Sequence, residues 1–421
     1  MNDIDDHSKC CLAVITIEPN EEPFLVQELY YHAKKFDQVY VLPSTLDSEI
    51  KTDFKNIHIS TILMRNFSDK SHIIRVLKKM PWTVLMIFVF EIMRNPARIK
   101  YLIYWKSMLD YLCQDLDKFH DLRNWILTKE EEQLIFYDYW FLNASISLAL
   151  LKKRKVIKGF VTRAHGFDLY DERHHEATVP FRYFKVMHAD SIYCVSKHGQ
   201  DYLKSKIPKK YHQKIKLSYL GVRVNTEGIS LSPADTQPQL VVSCATLLDF
   251  KNVHRIPGLL SAIKDRKIRW VHFGDGPLMK TLLDEIKKLD SNVSVELKGN
   301  VENHEIIRFY KENYISLFIA LSYSEGLPVS IMEAAMFGIP TIAFNVNGVS
   351  EIVNDKSGFL LSPDTDWNQI KEHFGSYLQS SSNFDRHQIK NLAEKNFCSE
   401  QNHLAFIDSL KNHPNIAKWR N

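Results

Sequence analysis

The chain has 421 residues, a length that predicts two or three domains rather than one. Its 45% apolar and 25% charged content excludes disordered and collagen-like classes, and a net charge of +4 is compatible with phosphates or an anionic membrane surface without requiring either. Glycine is scarce, 14 in all with the first at Gly159, which excludes a glycine-rich phosphate loop from the first 158 residues.

Residues 1–9 carry three aspartates where a secretory leader would be basic, and the apolar run after them lacks a small-residue cleavage site. A cytoplasmic protein is expected, with peripheral contact at the inner membrane face as an extension of that reading. The six cysteines are scattered without a C-x-x-C pair, so neither a disulfide framework nor a structural zinc site is expected. A continuous apolar run over 11–17 predicts a strand buried on both faces. A helical pattern over 24–35 and a second apolar run over 39–43 complete a βαβ unit, hence a parallel sheet.

Residues 72–155 read as mostly helical and rich in aromatics. Within them, 82–90 is apolar all round and flanked by Arg75, Lys78 and Lys79 on one side and Arg94, Arg98 and Lys100 on the other. It is too short to span a bilayer. Two readings stay open: a helix lying on a membrane surface, and a helix buried in the first domain. The run Phe136-Tyr137-Asp138-Tyr139-Trp140-Phe141 is expected in the core, with acceptor or lipid contact as the alternative. The basic run at 152–155 reads as a solvated helix end. Residues 225–239 are polar, contain Gly, Ser and Pro, and lack periodicity, so they are expected to be a linker between domains at 1–224 and 240–385. In the second domain strands are predicted at 240–244, 269–273, 293–297, 315–320 and 341–344. Helices are predicted between them at 252–264, 277–289, 303–312 and 328–337. The tail, 386–421, is expected to be helical and to pack back on the first domain.

The most informative segment is 321–353. A strand ends in a short loop carrying Glu325, Gly326 and Leu327; Pro328 is expected at the first position of the next helix, and Gly338 just past its end. Amides of Gly326, Leu327 and Val329 at the start of that helix form a site suited to an anion. A carboxylate beside such a site is electrostatically wasteful unless it accepts from neutral groups such as sugar hydroxyls. Together with Glu333 on the same helix, this predicts a sugar-phosphate ligand at the carboxyl end of a parallel strand.

The frame E-G-L-P-x5-E-A-x3-G-x-P, from Glu325 through Glu333 to Pro340, resembles that of the retaining glycosyltransferases of family 4 (group 1), which have the GT-B fold. The resemblance extends to Lys251 in a loop after the first strand of the second domain, to Gly274-Asp275-Gly276-Pro277, to Gly299-Asn300-Val301 and to Ser218–Val222. In the first half, Thr162-Arg163-Ala164-His165-Gly166-Phe167-Asp168 and Glu22-Pro23-Phe24-Leu25 with Glu28 resemble bacterial enzymes building capsule, exopolysaccharide or O-antigen chains. The resemblance implies an α/β chain with two Rossmann-like domains facing across a cleft, the first binding acceptor and the second a nucleotide sugar. It implies a metal-independent hexosyltransferase without a cofactor, whose donor is UDP- or GDP-linked and whose acceptor is a glycan or lipid-linked glycan, with no nucleic-acid partner. Lys251 would neutralise the donor diphosphate, Glu325 would hold the donor sugar, Glu333 would bind the ribose, and His165 would lie near the transferred sugar. Gly274, Gly276, Asn300, Gly326, Leu327, Pro328 and Val329 complete the donor site.

Two positions depart from the family pattern. Thr246 stands where a second phosphate cation is common, which leaves either Lys251 alone or Lys251 helped by Arg255, and the N-terminal loop reads Glu18-Pro19-Asn20-Glu21-Glu22 where glycine is frequent. These motivate an alternative, a nucleotide-sugar-binding assembly protein with impaired catalysis; a GT-B epimerase or phosphorylase is a closer one. Asp168 either orients His165 or caps the following turn. The adjacent His174 and His175 read as surface residues, the Asp-x-Asp repeats at 3–5, 115–117 and 364–366 as chance, and the missing third glycine after Gly276 argues against NAD.

Overall fold

The computed structural model describes residues 9–19, 23–45, 54–65, 71–94, 104–129, 132–174, 178–226 and 238–414. Asn20 to Glu22, Arg98, Lys100, His175, the aspartates at 3 and 5, and most of the expected linker lie outside the described residues.

Seven strands form the first sheet: β1 (Lys9–Thr16), β2 (Gln38–Pro43), β3 (Ile57–Ile59), β4 (Glu132–Asp138), β5 (Phe160–Ala164), β6 (Ser191–Cys194) and β7 (Ile215–Leu217). Their order is β3-β2-β1-β4-β5-β6-β7, and every pairing is parallel. The continuous apolar run at 11–17 is explained by position, because β1 lies between β2 and β4 with Cys11 opposite both Gln38 and Leu134. Side chains alternate across the sheet, so Cys11, Ala13 and Ile15 join one core cluster while Leu12 and Val14 join the other.

The second sheet holds β8 (Gln239–Cys244), β9 (Ile268–Phe273), β10 (Val293–Leu297), β11 (Leu317–Ala320), β12 (Thr341–Phe344) and β13 (Gly358–Leu361). Its order is β10-β9-β8-β11-β12-β13, again wholly parallel. Both sheets are therefore doubly wound, and each reverses its winding direction once, between β1 and β4 and between β8 and β11. Loops leaving the carboxyl ends of strands at such a reversal diverge and leave a crevice for a ligand.

Several local expectations are corrected. The helical reading of 72–155 holds for Ser71–Lys79, Pro81–Arg94, Trp105–Leu116, Phe119–Leu127 and Ser145–Lys153, but β4 interrupts it. The aromatic run at 136–141 begins inside that strand, with Phe136 facing one core and Tyr137 the other, an alternation of period two that bulky rings in a helix-rich context obscure. The helix expected over 252–264 shrinks to Ile256–Leu260, preceded by two 3₁₀ turns. Asn252 between those turns has φ 55°, which no α-helix can include. Pro328 precedes the helix Val329–Met336 as its cap, in an extended conformation, instead of occupying its first turn. Gly338 lies just past that helix with φ +65°, and a Cβ there would meet the Arg386 carbonyl oxygen at 2.5 Å, so only glycine fits.

The chain divides into Met1–Ser218 with His403–Asn421, and Tyr219–Asn402. The first unit thus ends at Ser218 and resumes at His403. Physical anchors explain both. Gly221 packs so tightly that a Cβ would lie 2.5 Å from the Ser399 backbone, and Val222 donates to the Phe397 carbonyl at 2.9 Å. The helix Arg386–Phe397 buries Ile389, Ala393 and Phe397 in the second core. Phe406, Ile407 and Leu410 of the helix Ser399–Lys411 are buried with Leu12 and Val14 in the first.

Candidate active site

At the reversal of the second sheet, the loop after β8 carries Lys251 and the loop after β11 carries Glu325. Lys251 Nζ donates to Glu325 Oε1 at 2.7 Å, the two side chains being 21% and 14% exposed. The loops are held together beneath this pair. Asn252 Nδ2 donates to the Leu321 carbonyl at 2.8 Å, and the Tyr323 amide donates to the Phe250 carbonyl at 2.7 Å. The left-handed backbone at Asn252, a residue that tolerates it, turns the chain so that Lys251 projects and Asn252 stays buried.

The glycine turn after β9 braces the same loop. Gly274 has φ +132°, and a Cβ there would meet the Ala245 carbonyl at 2.0 Å; its amide donates to the Gly299 carbonyl at 2.8 Å. The Leu247 amide in turn donates to the Asp275 carbonyl at 2.9 Å. Gly274 and Gly276 therefore set how closely the loops after β8, β9 and β10 approach. Asn300, just beyond Gly299, is exposed. Leu327 and Pro328 bury their side chains, leaving backbone as what they and Gly326 offer a ligand, and no side chain caps the helix that starts at Val329.

Glu333 lies one face deeper, 6% exposed on Val329–Met336. Burial pushes its carboxyl up to about 7, against the bond from Asn303 Nδ2 at 2.7 Å, which lowers it. The Cys244 thiol at the end of β8 is pushed up to about 12 by burial first and by the Glu333 carboxylate second. Asn303 was not foreseen from the sequence. The available signal is its place at the start of the helix Asn303–Glu312. Thr246 is exposed, and Arg255 spans the Tyr323 hydroxyl at 3.4 Å and the Trp367 ring at 4.8 Å.

In the first unit, His165 follows β5 directly. Its ring packs on Tyr139 and Trp140, with centroids 4.8 and 4.4 Å away, both from the loop after β4 at that sheet's reversal. Neither ring nitrogen has a hydrogen-bond partner among the described residues, although both are buried. The question left open for Asp168 is answered by its contacts. It accepts from the His165 amide at 2.6 Å and the Phe141 amide at 2.8 Å, tying the two loops, while His165 Nδ1 stands 3.7 Å from Oδ2, too far for a hydrogen bond.

The other motif residues of this unit turn inward. Arg163 donates to Glu28 at 2.7 Å with both side chains fully buried, and His32 contacts the same carboxylate at 3.1 Å. The Arg163 guanidinium lies over the Phe406 ring at 4.1 Å. The remaining short patterns have local structural work: Asp366 caps the helix Trp367–Ser380, Asp117 pairs with Arg65 and Arg75, and Lys152 pairs with Asp190.

Residues 228–396 match the family model for glycosyl transferases group 1. The WcaL protein of Escherichia coli (strain K12), named for colanic acid biosynthesis, is 25% identical over 261 residues, covering 60% of this chain and 63% of WcaL. A glycosyltransferase of Methanocaldococcus jannaschii is 30% identical over 251 residues, covering 59% of this chain and 66% of the relative. The chain thus spans just under two thirds of the length of these curated relatives. Among solved structures, the apo lipopolysaccharide outer core galactosyltransferase WaaB superimposes with a TM-score of 0.65 at 13% identity, covering 94% of this chain and 99% of that one. Anabaena HepE in complex with UDP gives 0.62 at 14% identity, covering 95% and 99%. The segment carrying Lys251, Glu325 and Glu333 therefore matches the glycosyl transferases group 1, in a chain whose two parallel-sheet, Rossmann-like units are those of a GT-B glycosyltransferase fold.

Proposed function

We propose that the protein is a retaining, metal-independent glycosyltransferase that moves a hexose from a nucleotide-sugar donor onto a lipid-linked bacterial surface glycan. The observation that carries this reading is the meeting of Lys251 and Glu325 at the sheet reversal, with Glu333 behind them on the helix that Glu325 precedes. An ammonium and a carboxylate held at 2.7 Å form a site with both polarities presented together. A nucleoside diphosphate sugar carries the complement: an anionic diphosphate for Lys251 and hydroxyl donors for Glu325. Donor entry exchanges one ion pair for two charge-assisted contacts.

Lys251 then stabilises the charge that grows on the departing diphosphate, and the uncapped amides after Gly326 add to it. Glu333 accepts from the ribose hydroxyls, which favours its ionised form. The acceptor hydroxyl attacks the anomeric carbon from the face that the leaving group vacates. The carbon–phosphate oxygen bond breaks as the carbon–acceptor oxygen bond forms, and the acceptor proton passes to the departing phosphate oxygen. His165, both of whose ring nitrogens lack partners among the described residues, is assigned to the sugar and acceptor side. UDP in the HepE structure and galactosyl transfer by WaaB support a UDP-hexose, and the names of WcaL and of the Erwinia amylovora amylovoran glycosyltransferase AmsK support a surface-polysaccharide acceptor.

The test is a panel of nucleotide sugars screened for thermal stabilisation, followed by release of nucleoside diphosphate from the best donor with and without acceptor. A stabilising donor, slow hydrolysis alone and faster release with a lipid-linked glycan are expected. Stabilisation without any release would favour the binding protein suggested by Thr246, and release dependent on inorganic phosphate would identify a phosphorylase.

A further inference from the structure

The helix Pro81–Arg94 has two apolar faces, and among the described residues only one of them is packed. Val84, Ile87 and Glu91 are buried, while Phe88 and Phe90 pack against Phe181 and Phe184 with ring centroids 5.4 and 5.7 Å apart. On the opposite side Trp82, Leu85, Met86, Val89 and Met93 are exposed, Trp82 by 79% and Met93 by 74%. Their spacing is that of a single helical face, where a soluble surface helix would carry polar residues. The preceding helix Ser71–Lys79 extends the apolar surface with exposed Ile74 and Leu77.

Exposed basic residues stand at the end of the shorter helix, Lys78 one turn from Ile74 and Lys79 on the side that it shares with Arg75, Asp117 and His120. Arg75 is held by Asp117 at 2.8 Å and contributes less free charge. The longer helix has 14 residues, hence about 21 Å of length, and no described helix is long and apolar enough to cross a membrane. A ridge of this kind can lie in an interface without spanning it.

We infer that the ridge is an interfacial anchor that lies on an anionic bilayer, with Trp82, Leu85, Met86, Val89 and Met93 at the boundary of headgroups and acyl chains and Lys78 and Lys79 on the anionic headgroups. The charge favours lipid over a second copy of the chain. Ridge-to-ridge pairing would bring the same lysines toward each other, whereas anionic lipid complements both the apolar and the basic parts. The inference stands independently of the transferase reading, since none of these side chains belongs to the site around Lys251.

The experiment is co-sedimentation of the full chain with vesicles of phosphatidylcholine alone and of phosphatidylcholine mixed with phosphatidylglycerol. Binding to the mixed vesicles is expected to exceed that to the neutral ones and to weaken with added salt. Trp82→Ser/Leu85→Ser/Met93→Ser should lower it about tenfold or more. Lys78→Glu/Lys79→Glu, which leaves the apolar face intact, should remove the preference for anionic vesicles. All are exposed positions, so unfolding temperatures should stay at the parent value. Recovery wholly in the supernatant with mixed vesicles would overturn the proposal. So would self-association that the serine variant abolishes in a protein that never binds vesicles, which would assign the ridge to a copy of the chain.

Discussion

Lys251–Glu325 in the second unit and Arg163–Glu28 in the first are both cation–carboxylate contacts of 2.7 Å, but the former retains 21% and 14% exposure and the latter none. The exposed pair sits in loops at the ends of strands, where a ligand can compete for each partner. The buried pair links β5 to the helix Pro23–Lys35, with Phe406 of the C-terminal helix over its guanidinium, and separating it would strand a charge in the core. Similar chemistry is thus open to a competing ligand in one place and closed to it in the other, and burial makes the difference.

Substituting each pair in turn sharpens the contrast. Lys251→Ala or Glu325→Ala should reduce sugar transfer about 10²–10³-fold, the range seen when a transition-state charge loses its partner. Because that pair is partly exposed, its loss should cost no more than about 1 kcal/mol of stability. Transfer rate and unfolding temperature measured on the same preparations check both statements, and full activity in both variants would remove the site assignment.

Glu28→Ala or Arg163→Met should do the reverse, losing about 3–5 kcal/mol in denaturant unfolding while leaving activity per folded molecule nearly unchanged. The buried pair also has an acid signature. Burial alone would raise Glu28, but Arg163 first and His32 next hold its carboxyl at about 2 against an ordinary 4.5. Its contribution is therefore fully present above pH 4.5 and is lost as pH falls toward 2. Parent and Glu28→Ala unfolding curves should converge over that window; a constant gap would show that the carboxylate charge is not what stabilises the fold.

Glu333 moves in the opposite direction. With its folded value raised to about 7, the native state keeps this proton longer than the unfolded chain, so stability falls as pH rises from 4.5 to about 7 and then levels off. The change amounts to about 3 kcal/mol. Nucleotide binding should run against it, because ribose hydroxyls favour the carboxylate: affinity for the nucleoside diphosphate should rise between pH 6 and 8 with proton release. Glu333→Gln should flatten both profiles, and calorimetry in buffers of different ionisation heat would reveal whether a proton leaves.

The same contrast explains what could be read from the sequence. Proline and glycine punctuation around Glu325 and Gly338 marked a strand–loop–helix unit almost to the residue, because those constraints are local. Lys251 was legible only through resemblance, and its ion pair with Glu325 was not legible at all, since it joins loops 74 positions apart. In the first unit, β4 was hidden by its bulky aromatics, and Glu28 and Arg163 carried a motif whose role depends on burial, a property of the assembled sheet. Asn303 was missed for the same reason: nothing in a helix start announces which buried carboxylate it will reach.

Asn303 offers the smallest and most discriminating test. It is an exposed side chain whose Nδ2 donates to the buried Glu333 at 2.7 Å, the bond that opposes burial in setting that carboxyl. Asn303→Ala should raise the Glu333 value further and move the pH midpoint of nucleotide binding upward. The loss of affinity should be about tenfold or less at pH 7, one hydrogen bond to a charged group, and should vanish well above pH 8 where the carboxylate is ionised in either protein. A loss of equal size at every pH would mean that Asn303 shapes the pocket without setting its charge. In Glu333→Gln the same substitution should have no pH-dependent effect, because the group through which Asn303 acts no longer titrates.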